Sequence, residues 1–189
     1  MRAVSLLFAL LVPAASSQSV VRTAEVTYVL SNLPDSRGES VLRAVRLKDS
    51  KLLWTVAVEP EARELRLIDP VLLTYSCFSG AYLACGVQAF AKTSGRALWQ
   101  ASGRWMGLNK NFVLLEDDFY LRDGERGALD RLFHVVRLKD GITKEYALQV
   151  PPRSGCEGPV ELLNVPKFST TALETRLGDS CGTYTRTFR

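Results

Sequence analysis

One eleven-residue layout recurs along this chain at a nearly constant interval, and it restricts the possible folds more than any other feature. Residues 44–54 read AVRLKDSKLLW and residues 89–99 read AFAKTSGRALW; each opens on alanine, carries a basic residue eighth and closes on tryptophan. Residues 135–141 (VVRLKDG) begin a third copy, whose pentad 136–140 is identical to 45–49. The copies start at 44, 89 and 135, so the intervals are 45 and 46 residues. A period of roughly 40 to 50 residues built from strand-like segments marks propeller-like arrays, in which one repeat is one small antiparallel sheet.

Each copy reads as an alternating strand, a tight turn and a second strand ending in a large aromatic. The turns are Asp49-Ser50, Ser94-Gly95 and Asp140-Gly141, residues that tolerate positive φ and so close a hairpin. Trp54 and Trp99 arrive at the same place in successive copies, and the third copy offers Tyr146 one position late. Rings recurring at one repeat position suit packing between neighbouring sheets better than stacking on a ligand.

The pattern Ala-x-x-x-x-Ser-Gly-Arg-x-x-Trp at 89–99 resembles the tryptophan-docking repeat of the quinoprotein-like (PQQ-like) β-propellers, a family that includes alcohol dehydrogenase quinoproteins and BamB-like assembly lipoproteins. The third motif position is often acidic in that family and is Arg46, Ala91 and Arg137 here. The resemblance covers about residues 24–188 as an array and implies a fold, because function resides in a site and not in a propeller. Active quinoproteins use a larger ring, acidic and amide ligands to a metal beside the cofactor, and often a vicinal disulfide. No two cysteines are adjacent here and the chain is short for the full ring, so none of those functional residues carries over.

At the N-terminus, Met1-Arg2, an apolar run over 3–12 and the small residues Ala14, Ala15, Ser16 and Ser17 read as a secretory signal. The expected division is a signal peptide over 1–17 and one repeat domain over 18–189, with the mature start near Gln18. No cysteine follows the apolar run, which departs from the lipoprotein pattern. No later stretch has the roughly 18 consecutive apolar residues of a membrane helix, so no membrane insertion is expected after cleavage. Without Arg2 the balance is 23 basic against 20 acidic residues, spread along the chain. No basic, aromatic-interleaved platform for nucleic acid emerges.

Period-two segments separated by Gly, Pro, Asp and Asn predict strands over 25–30, 41–47 and 52–58, then 64–68, 71–76, 87–91 and 96–101. A third unit follows at 105–108, 112–116, 132–138 and 143–150, and a last one at 160–164, 168–172 and 183–188. The fold class is therefore all-β: a propeller-like array of about four small antiparallel sheets, two of four strands flanked by one of three at each end. A small closed ring, an open arc and an arc completed by a second copy all remain compatible with it, as does a plain sandwich or barrel.

Four cysteines in an exported chain favour two disulfides over zinc, whose paired Cys-x-x-Cys spacing is missing. Sequence order pairs Cys77 with Cys85 and Cys156 with Cys181, as repeat-equivalent staples between the second and third strands of their units. Catalytic signals are sparse. His134 is the single histidine, there is no Gly-x-Ser-x-Gly elbow, and no phosphate or dinucleotide fingerprint occurs. The densest acidic stretch, Glu116, Asp117, Asp118, Asp123 and Glu125, departs from the calcium-loop order and reads as a solvated loop. No catalytic, metal or cofactor-binding residue is assigned.

The expected function is a secreted or periplasmic, non-catalytic repeat protein that binds a protein or envelope component, with a ring-completing homodimer as one arrangement. The alternative is a shrunken quinoprotein-type enzyme or cofactor carrier.

Overall fold

A computed structural model of the protein describes residues 19–33, 39–79, 83–117 and 127–189, and its regular elements are sixteen strands. The expected signal segment lies outside the described residues. Sheet I is a meander of β1 (Ser19–Arg22), β2 (Val26–Asn32), β3 (Ser40–Arg46) and β4 (Leu52–Val58). Sheet II repeats it with β5 (Ala62–Ile68), β6 (Val71–Ser79), β7 (Leu83–Ala91) and β8 (Ala97–Ser102). Sheet III follows with β9 (Arg104–Leu108), β10 (Phe112–Glu116), β11 (Leu129–Arg137) and β12 (Thr143–Val150). Sheet IV holds β13 (Glu161–Leu162), β14 (Lys167–Phe168), β15 (Leu173–Asp179) and β16 (Gly182–Phe188).

The recurring eleven residues are the hairpin between the third and fourth strands. In each of sheets I to III the amide just after the third strand reaches back to the turn between the first two: Leu47 N–H to Glu25 O at 2.8 Å, Lys92 to Pro70 at 3.1 Å and Leu138 to Asn111 at 2.8 Å. The identical pentads have a local cause. Arg46 and Arg137 clamp Asp49 and Asp140 three residues on, and each aspartate also accepts the amide two residues further.

Two strand assignments change at the ends. Sheet I gains β1, a four-residue strand beside the expected cleavage site. In the last unit, the Ser/Thr-rich 168–172 is mostly turn: Ser169 Oγ accepts the amides of Thr171 and Ala172, a use of the hydroxyl that competes with strand pairing. The strand proper is β15. β13 and β14 are two halves of one edge, since both pair with β15 on the side away from β16. Between them Asn164 Oδ1 accepts Arg176 N–H at 2.8 Å, patching the ladder next to Pro166, which has no amide proton. Sheet IV therefore occupies three strand positions, with the outer edge of β16 unpaired among the described residues.

The core lies between sheets. One apolar cluster joins I to II (Leu30, Leu42, Leu65, Phe90), a second joins II to III (Leu73, Val87, Val113, Val136), and two join III to IV (Phe133, Leu173; Leu129, Leu177). Among the described residues none joins IV to I, so the four sheets form an open, incomplete propeller-like array.

Register makes the sheets comparable residue by residue. On the face turned toward the next sheet, the cross-strand pairs Leu30/Leu42, Tyr75/Val87 and Glu116/Phe133 correspond, and the fourth member is Arg176/Thr185. One step along, Tyr28/Ala44, Leu73/Ala89 and Leu114/Val135 correspond to Glu174/Thr187. Sheet IV thus turns polar where its predecessors are mostly apolar, the character of a capping repeat.

Candidate functional site

The seams between sheets hold most of the unusual chemistry, beginning with the tryptophans. A β-bulge after Ala44, and again after Ala89, sets Trp54 opposite the first and Trp99 opposite the second, small residues over which a large ring can lie. Each ring crosses to the following sheet. Trp54 Nε1 donates to Lys92 O at 3.2 Å and Trp99 Nε1 to Leu138 O at 2.8 Å, the same turn position in sheets II and III. The glycines there are required twice over: φ is +67° at Gly95 and +73° at Gly141, and an added Cβ would lie 2.5 Å from the Trp54 ring or 2.6 Å from Trp99. Sheet I has Ser50 at this place, at φ +56° and exposed, and no tryptophan among the described residues donates to its turn.

Tyr146 works differently from a late tryptophan. β12 has no bulge, so Lys144 faces Val135 in the tryptophan's register and Tyr146 lies two residues deeper, opposite Phe133. It is buried, Lys144 Nζ lies 4.9 Å above its ring, and its hydroxyl donates to Ser169 O at 3.1 Å in sheet IV.

The structure joins Cys77 to Cys85 and Cys156 to Cys181, and leaves no free cysteine among the described residues. The two bridges are not repeat-equivalent. Cys77 faces Cys85 across the β6/β7 ladder, at the register that Asn32 and Ser40 fill in sheet I, where a 2.7 Å hydrogen bond replaces the covalent link. Cys156 precedes sheet IV and Cys181 is in the β15–β16 turn, so this bridge ties the incoming chain to the sheet. Arg153 reinforces it, bidentate to Asp179 at 2.6 and 2.8 Å and stacked 4.4 Å from Tyr184. Cys156, Asp179 and Cys181 lie close enough to suggest metal ligands, but the two sulfurs are bonded to each other and the carboxylate holds Arg153 and the Cys181 amide.

In the chain-entropy account, the nine-residue loop 77–85 contributes about 2.6 kcal/mol and the 26-residue loop 156–181 about 3.5 kcal/mol. Alkylation of the unreduced, denatured protein should label no cysteine. Replacing Cys156 and Cys181 together by serine should lower the denaturation midpoint more than the same change at Cys77 and Cys85; the reverse order would refute this account.

Asp49, Asp140 and Asp179 are held below the usual carboxylate range chiefly by hydrogen bonds from Arg46, Arg137 and Arg153 respectively. A carboxylate whose folded pKa lies below its unfolded one stabilises the fold above the unfolded value, and that contribution disappears as pH falls through the folded value. The urea midpoint should therefore drop on acidification below about pH 4, and less steeply in Asp179→Asn. Equal slopes for parent and variant would remove Asp179 from this explanation.

The acidic stretch does not converge. Asp118, Asp123 and Glu125 lie outside the described residues, and Glu116 and Asp117, as chain neighbours ending a strand, point to opposite faces. Glu116, only 2% exposed, is gripped by Arg104 and by Arg131 Nε at 3.3 Å. These line a cleft of about 710 Å³ between sheets III and IV. Asp117 Oδ2 sits 3.3 Å from His134 Nε2, with Glu145 3.6 Å from the other ring nitrogen, in the seam between sheets II and III. His134 is thus engaged on both sides. The Arg104–Glu116–Arg131 group escaped the sequence reading; aligning Glu116 with Leu30 and Tyr75 would have exposed it as a charge at a core position.

A face of sheet I that no other sheet among the described residues covers was not anticipated either. The positions Leu72/Phe90 and Val113/Val136, buried in the seams behind sheets II and III, are Thr27/Val45 in sheet I. Beside them lie Val29 and Val41, half-buried, Val20 at 43% exposure, and Arg22 and Arg43. Neither arginine has an ion-pair partner among the described residues.

No protein-family profile and no curated protein matches this sequence. Among solved structures, the chain is similar to a europium-containing methanol dehydrogenase, with 14% identity and a TM-score of 0.44 over 68% of this chain. The match spans 24% of the dehydrogenase, a similarity too low to bring that enzyme's chemistry to this chain.

Proposed function

We propose that the mature chain is a secreted or periplasmic, non-catalytic array of sheets that binds another protein of the cell envelope or its surroundings. The observation behind this reading is the contrast between the two end faces. Sheet IV ends the array in Glu174, Arg176, Thr185 and Thr187, whereas sheet I presents a valine-rich face at positions that its neighbours bury. Uncovered apolar surface of this kind, rimmed by polar groups, is characteristic of protein-binding sites. Two disulfides fit an extracellular or periplasmic setting, and cleavage near Gln18 would deliver the chain there.

The test uses immobilised mature protein and a Val29→Asp, Val45→Asp variant with an unchanged melting curve. Envelope extract passed over the parent should leave one stoichiometric partner, and the variant should lose it. Intact-mass analysis of secreted protein should show residues 1–17 removed. Stoichiometric retention of pyrroloquinoline quinone after incubation with calcium and desalting would instead support the cofactor-carrier alternative and overturn the binding-module reading.

A further inference from the structure

Resting on that reading, we infer that the partner covers the valine face of sheet I with an apolar β-sheet face of its own and places a carboxylate against Arg43. The face is continuous in kind with three interfaces already present in the molecule. Val45 stands where Phe90, Val136 and Phe188 pack into seams, and Thr27 where Leu72, Val113 and Leu173 do. A flat sheet face is matched by another at about 10 Å spacing, with interdigitating side chains.

Arg43 supplies the chemistry. Its counterparts inside the seams are satisfied: Gln88 Oε1 accepts Glu59 N–H at 2.7 Å, and His134 sits between Asp117 and Glu145. Arg43 is exposed between Val29 and Thr55 on its cross-strand neighbours and has no such partner among the described residues. Covering it without an acceptor would strand a guanidinium away from water, so the covering surface must bring an acceptor, and a carboxylate matches the planar fork. Arg22 on the same face strengthens the preference for an acidic surface.

Three features argue against a second copy of this chain. Head-to-tail stacking would set the polar Glu174, Arg176, Thr185 and Thr187 face of sheet IV on the valines. Back-to-back pairing would bury Arg22 and Arg43 of both copies in one interface, and none of the strands β1 to β4 carries a carboxylate to meet them. And Ser50 puts a side chain where Gly95 and Gly141 leave space for a tryptophan, so a seam locked as those between sheets I and II and sheets II and III are cannot form here.

A photo-cross-linking residue at Thr55, beside Arg43, and separately at Thr185 on the sheet IV cap, tests this in the full chain secreted by its own host. The expected result is one discrete adduct from position 55, none from 185, and a cross-linked partner peptide close to an Asp or Glu. Arg43→Glu should weaken partner binding at least tenfold with an unchanged melting curve, and changing that partner acid to Lys should restore it. An adduct of twice the chain's mass, or one indifferent to Arg43→Glu, overturns the inference. Adducts from position 185 alone leave a binding module but remove this face; none from either position defeats both readings.

Discussion

Trp99→Ala should cost about 3 to 5 kcal/mol, the range for truncating a large aromatic packed against a core. At this chain length that corresponds to a fall in melting temperature on the order of 10 °C. The loss has separable parts. Trp99→Phe keeps most of the packing and removes the Nε1 bond to Leu138 O, so it should cost only about 1 kcal/mol more than its volume change. Gly141→Ala attacks the same seam from the other side, because its Cβ would enter the space of Trp99 at a φ that disfavours any side chain. Trp54 and Gly95 should behave alike. Ser50→Gly provides the contrast, neutral or slightly stabilising, since Ser50 is exposed and already holds a positive φ that glycine adopts without steric cost. If both tryptophan variants melt like the parent but lose partner binding, the rings belong to a surface site and not to the seams.

Stripping Glu116 of its arginines should be comparably severe. With Arg104→Ala and Arg131→Ala together, an almost wholly buried carboxylate is left uncompensated, a change worth about 3 to 5 kcal/mol. Adding Glu116→Leu to that pair should recover most of the loss. Sheet I already shows an uncharged solution, with Leu30 at the Glu116 position and Ser40 at that of Arg131. A triple variant no more stable than the double one would mean that the arginines support the cleft by some other contact than the one to Glu116.

The parts of this fold that could be read from sequence are those fixed by neighbours in the chain. The Asp49, Ser94 and Asp140 turns and the alternation of Ser40, Leu42 and Ala44 are local, and they gave the hairpins and the all-β class directly. What escaped depends on contacts between sheets. Tyr146 is aligned by a bulge that β12 lacks, which no residue count along the chain discloses. β15 was missed because Ser169, Thr170 and Thr171 have β-branched or small polar side chains whose hydroxyl chemistry closes a turn. The cysteine partners followed from order, but their different mechanical roles required knowing that Cys156 lies outside the sheets. Glu116 read as one acid among several because its arginines come from β9 and β11.

The polar face of sheet IV also bears on how such a chain can change in length. Duplicating the sheet II repeat between sheets II and III would present apolar faces to apolar faces on both sides, with a tryptophan and a glycine seat at each new junction. Appending the same repeat behind sheet IV would meet Glu174, Arg176, Thr185 and Thr187, and no ring with which to lock it. Growth by copying is therefore open in the middle and closed at that end. Four side chains on one face thus decide which positions in the stack can accept a further copy.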